Sequence, residues 1–111
     1  MIMVSEVRRL IFSMLELKSA LQLFHTEKKS IFPKGEIVDI ALIEDENVYA
    51  KVYIALVQSS GGNEVTVDTN TLAAALLFYC KRFQIPIPKG SEKGLAKVGN
   101  EVSLNILLTS R

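Results

Sequence analysis

His25 is the only histidine and Cys80 the only cysteine in the 111 residues, so the two side chains most often used for chemistry near neutral pH each occur once. A protein metal centre draws on several ligands, and the carboxylate nearest His25 in sequence is Glu27, two residues away. At the end of a helix, an imidazolium complements the negative end of the backbone dipole. That structural role is the one the sequence assigns to His25. A nucleophilic thiol needs a base, a cation or a helix N-terminus beside it. Cys80 falls near the end of a helical run, and its neighbour Lys81 points to another side of that helix. It reads as a small core residue.

Glu44, Asp45 and Glu46 are consecutive. Calcium loops place their ligands at alternate positions around an internal glycine, so this run reads as a solvated turn. Ser59-Ser60-Gly61-Gly62 could offer backbone N–H groups to a phosphate. Phosphate loops lead into a helix and usually bring a lysine, whereas here Glu64 and a short strand follow. No cofactor and no metal are expected.

Lys81, Arg82, Lys89, Lys93 and Lys97 form the one cluster that suggests a ligand. If Glu92–Lys97 is a short helical turn, Lys93 and Lys97 share a face. Such a patch would suit phosphate, nucleic acid or an acidic partner. Against it stand a net charge of only +1 and a pI near 7.8. No helix-turn-helix, zinc-finger or RNA-binding aromatic signature accompanies it, so the cluster reads as a solubilising surface and nucleic acid is not an expected partner. The charge is nonetheless uneven. Residues 1–35 hold six basic and three acidic residues, residues 36–70 hold one and seven, and residues 71–111 hold six and two.

The elements that must position these residues follow from periodicity. Val7, Leu10, Met14, Leu17, Leu21 and Phe24 recur at alternating spacings of three and four, flanked by Ile11, Leu15 and Leu23. That seam predicts one helix from Ser5, as N-cap, to about Thr26. Its width exceeds one contact face, which marks it as a homodimer interface. Glu36–Ile43 and Val48–Gln58 predict a hairpin turning at Glu44–Asn47. In the second strand Val48, Ala50, Val52, Ile54 and Leu56 share one side, while Tyr49, Lys51, Tyr53, Ala55 and Val57 share the other. Both sides are largely apolar, so something should cover the second.

Ser59–Asn63 predicts a turn and Glu64–Val67 a third strand. Asp68, Thr69 or Asn70 caps a second helix reaching about Phe83, with Leu72, Ala75, Leu76, Tyr79 and Phe83 on one face. Pro86 and Pro88 hold residues 84–88 extended. Val102, Leu104, Ile106 and Leu108 alternate with polar residues in a final strand.

The predicted fold is therefore α+β, a single domain over residues 1–111. A mostly antiparallel sheet of about four strands, in the order α-β-β-β-α-β, packs with a long N-terminal helix and a second helix. The longest uncharged apolar run, Leu72–Cys80, is nine residues, far short of the ~20 that span a membrane. The opening residues lack the basic segment of a secretory signal, and one cysteine allows no intrachain disulfide. These features point to the cytoplasm and to no membrane partner.

Hydrophobic residues make up 49% of the chain, which implies either a generous core or apolar surface for a partner to cover. The sequence thus points to a non-catalytic binding or regulatory module, acting as a homodimer or docked on a partner protein. An alternative is anion or nucleic-acid binding through the basic cluster. A third is a small enzyme with its site across a dimer interface, built from Tyr49, Tyr53, His25 or Cys80.

Overall fold

Ser13 divides the first apolar run in two. Its hydroxyl accepts from the Glu16 N–H at 3.2 Å, and the Glu16 carboxylate accepts from the Ser13 N–H at 3.0 Å. This reciprocal capping box fixes a helix start. Helix α1 accordingly runs Met14–Glu27, and the residues before it form strand β1, Val4–Phe12. The expected helix from Ser5 is corrected on this point. Val7 and Leu10 keep helical spacing with Met14, but they also alternate as a strand does. Leu10 and Phe12 turn toward the core, whereas Val7 and Ile11 turn outward. Pairing with the far end of the chain decides between the two patterns.

The structure is a computed structural model and describes residues 4–56 and 62–110. After α1 come β2 (Gly35–Glu44), β3 (Val48–Leu56), β4 (Gly62–Val67), α2 (Thr69–Arg82), β5 (Glu92–Val98) and β6 (Glu101–Ser110). Among the described residues the class is α+β and the pairing is antiparallel, but there are six strands in two three-stranded sheets, ordered β1-β6-β5 and β2-β3-β4. Two strands were illegible as such. One is β1, and the other is β5, where a short helical turn was expected. The two-residue loop Gly99-Asn100 folds β5 back on β6, so that Val98 pairs with Glu101. Gly99 has φ +62°, the left-handed value a tight hairpin reserves for glycine at its first turn position.

The two helices pack on each other. Helix α1 also touches β1, β2 and β6, and α2 touches β3 and β5, which places both helices on the same core as the two sheets. The centre strands supply Val102, Leu104 and Ile106 from β6 and Val48, Ala50, Val52 and Ile54 from β3. Leu17, Ala20, Leu21 and Phe24 face them from α1, and Leu72, Ala75, Leu76 and Cys80 from α2. Phe12 meets Tyr79 edge-on with ring centroids 5.9 Å apart, and Phe24 meets Phe78 at 6.1 Å, geometry that aromatic quadrupoles favour.

Of the three cap candidates Asp68, Thr69 and Asn70, it is Asp68 that caps α2, by accepting from the Thr71 N–H at 2.8 Å. The helix ends in a double closure: the Gln84 N–H donates to the Lys81 carbonyl and the Ile85 N–H to the Cys80 carbonyl. This is a Schellman arrangement, with Gln84 at φ +58° where glycine is usual. It aims the proline-stiffened residues 85–88 back under β1, where the Pro86 carbonyl accepts from the Arg8 guanidinium at 3.1 Å. Among the described residues no helix is long and apolar enough to cross a membrane.

Candidate functional site

His25 is an anchor for the loop that follows α1. Its Nδ1 accepts from the backbone N–H groups of Ile31 at 2.9 Å and Phe32 at 3.1 Å, and its ring lies 5.2 Å from that of Phe32. With Nδ1 used as an acceptor, the neutral ring carries its proton on Nε2. This explains the residue more fully than the helix dipole does. Cys80 is completely buried on α2. Burial pushes its thiol up from the ordinary value, with Arg8 opposing weakly, so the reactive thiolate is disfavoured.

Tyr49 and Tyr53 lie on the outward side of β3, with Lys51 between them joined to Glu64 at 3.8 Å. No hydrogen bond links any two of Tyr49, Tyr53, His25 and Cys80 among the described residues. Those residues also contain no group of three His, Cys, Asp or Glu side chains able to hold a metal. Ser59, Ser60 and Gly61 lie outside the described residues, while Gly62 already belongs to β4.

The basic residues are dispersed. Lys81 and Arg82 end α2, and the Arg82 guanidinium meets the Glu27 carboxylate at 3.0 Å, tying together the ends of the two helices. Lys89 sits in the turn before β5. Lys93 and Lys97 share a side of β5 rather than a helix face, about 13 Å apart at strand rise. The Lys93 ammonium donates to the Ser91 carbonyl at 2.9 Å, and Lys93 shares a cleft with Glu44, Asp45 and Glu46. The Lys97 N–H donates to the Glu44 carboxylate at 3.2 Å, which joins the two sheets. Acidic residues thus stand beside Arg82, Lys93 and Lys97.

The predicted seam is split. Val7 and Leu10 are on β1, and Met14, Leu17, Leu21 and Phe24 are on α1. Leu17, Leu21 and Phe24 are buried in the core of their own chain, and Leu10 and Met14 pack against it. Of the six residues only Val7 is open to solvent, 69% exposed.

Val7 has company that the sequence reading did not assemble. On the outward side of the β1-β6-β5 sheet, Ile11 is 48% exposed and Leu107 and Val98 each 38%. The register sets Val7 directly opposite Leu107. Ser103, on the same side, is buried and donates to the Asn105 side-chain oxygen at 2.6 Å. The outward side of β2-β3-β4 carries half-buried Ile43, Tyr49 and Tyr53, the second apolar side that the hairpin pattern predicts. The detectable signal for the first patch was the alternation of Val7, Arg9 and Ile11 with Arg8, Leu10 and Phe12.

Compared with protein-family models, with curated proteins and with solved structures, the chain matches none.

Proposed function

We propose that this chain is a non-catalytic binding or regulatory module of the cytoplasm, acting as a homodimer joined along the β1 side of its β1-β6-β5 sheet. One observation carries the reading. Val7, Ile11 and Leu107 are exposed apolar residues gathered on one side of neighbouring strands. Grouped apolar exposure on a protein surface marks contact sites, and two-fold pairing is its commonest resolution. The separation of the titratable residues supports a binding role over a catalytic one. A single buried thiol supports a reducing compartment.

Sedimentation equilibrium at micromolar concentration tests the proposal. The parent chain should sediment as a dimer, and Val7→Lys should yield a folded monomer, because Val7 is too exposed for the change to disturb the core. A parent chain that remains at 12.3 kDa throughout the concentration range would refute self-association. A dimer that tolerates Val7→Lys would place the contact elsewhere.

A further inference from the structure

Sheet edges are hazardous because their unpaired N–H and C=O groups template further strands, and proteins commonly blunt them. Three of the four edges here are blunted, each differently. Strand β2 is bulged between Ile37 and Asp39, and the Asp39 carboxylate takes the Ile40 N–H at 2.9 Å. Strand β4 is six residues long and begins Gly62-Asn63-Glu64, all exposed. Strand β5 lies beside the acidic β2–β3 turn, and its Lys97 N–H is taken by Glu44.

Strand β1 has no bulge, is not short and is not covered by an acidic turn; its charges, Glu6, Arg8 and Arg9, are what set the register at which another strand can pair. Its nine residues pair with β6 without a bulge from Val4↔Ser110 to Phe12↔Val102. Its other edge has no backbone partner among the described residues.

We infer that the β1 edge pairs with β1 of a second copy, antiparallel about a two-fold axis at Val7, so that two three-stranded sheets join into one of six strands. The inference rests on the homodimer reading and specifies its geometry. A two-fold perpendicular to the sheet keeps inward residues inward, so the axis must pass through a residue and not between two. An axis at Glu6 sets Glu6 against its own copy, an axis at Arg8 does the same for Arg8, and an axis at Arg9 for Arg9. Like charges directly opposite destabilise a strand pair.

An axis at Val7 instead sets Val7 against Val7 and, twice over, Glu6 against Arg8. Arg8 shares the inward side of β1 with Glu6, and it spends one donor on the Pro86 carbonyl. A guanidinium has five donors, so a carboxylate directly opposite can also be accommodated. The same register sets Val7 beside its own copy on the outward side, with Leu107 flanking each. Axes farther along the strand, at Leu10 or beyond, give five residues of overlap or fewer within β1, against seven, Val4 to Leu10, for the axis at Val7.

Cysteine scanning under mild oxidation reads the register directly. Residues opposite each other in a sheet bring their Cβ atoms to about 4.5–5.5 Å, close to the span of a disulfide. The parent chain is the blank, because Cys80 is fully buried. Val7→Cys should form a covalent dimer, while Arg8→Cys and Arg9→Cys should not. Independently, Glu6→Lys should raise the dimer dissociation constant about tenfold, since two opposed attractions become repulsions.

Cross-linking through residue 8 or 9 in place of 7 would overturn the register. A dimer in sedimentation that none of the three cysteines captures would overturn edge pairing while leaving the homodimer standing. A parent chain that sediments as a monomer would overturn both.

Discussion

Gln84→Gly should stabilise the protein. Gln84 adopts φ +58° at the C-terminal closure of α2, a region where a side-chain-bearing residue is disfavoured by roughly 1–2 kcal/mol. Glycine removes that cost but gives up about 0.5–1 kcal/mol through its greater freedom in the unfolded chain. The Gln84 side chain is exposed and makes no hydrogen bond among the described residues, so little else is lost. The net gain is about 0.5–1 kcal/mol. For a domain near this size that corresponds to a rise in Tm of roughly 2–6 °C. Urea unfolding at 25 °C, with an unchanged m-value, measures it. Gln84→Val should move the other way, because β-branching makes left-handed backbone costlier still. A glycine variant no more stable than the parent, or a valine variant equal to it, would refute the left-handed closure. The direction of residues 85–88 under β1, and with it the Arg8–Pro86 contact, would then lose its basis.

Two further changes examine the elements around the site. Leu15 and Leu17 are two residues apart on α1, yet Leu15 is 78% exposed and Leu17 fully buried. Leu17→Ala should therefore cost about 2–5 kcal/mol and Leu15→Ala within about 0.5 kcal/mol; similar losses at both in a denaturant titration would contradict the helix orientation. Hydrogen bonding from Thr71 holds the Asp68 carboxyl below its ordinary pKa. A lowered folded pKa means stability that is present above the unfolded value and lost as pH falls through the folded one. Asp68→Ala should accordingly cost about 1 kcal/mol at pH 7, and that cost should shrink as the pH drops below about 4. A cost that stays constant down to pH 2 would show that the carboxylate's charge contributes nothing to the cap.

Local chemistry made the middle of the chain legible. The β2–β3 hairpin, its acidic turn, the Asp68 cap and the buried face of α2 all depend on residues within a few positions of one another. The sequence places each within one or two residues of its observed bounds, except that Phe83, expected on the apolar face of α2, lies past the helix end and is 58% exposed. The first helix was misread because Val7, Leu10 and Met14 satisfy two periods at once, and only Ser13 with Glu16 breaks the tie. Strand β5 was misread because Lys89, Lys93 and Lys97 imitate helical spacing. Its commitment to a strand comes from Gly99-Asn100 and from pairing with β6.

The contact surface was hidden for the same reason. Val7 and Ile11 look like core residues until β1 is a strand, and β1 is a strand because it pairs with a segment far along the chain, at Val102–Ser110. A seam assigned to one helix would have buried Val7 with Leu17 and left no apolar edge. Splitting the seam at Ser13 sends Leu17, Leu21 and Phe24 inward as core and Val7 outward. The apolar excess in the composition is thereby divided into a part that the chain covers itself and a smaller part that it does not, of which Val7 and Ile11 lie on β1 and Leu15, Val38 and Phe83 elsewhere. A bulge at β2, the shortness of β4 and the acidic turn beside β5 leave β1 as the long regular edge, and its charges Glu6 and Arg8 are complementary only in one register, so a second chain can add a strand there without displacing anything already paired.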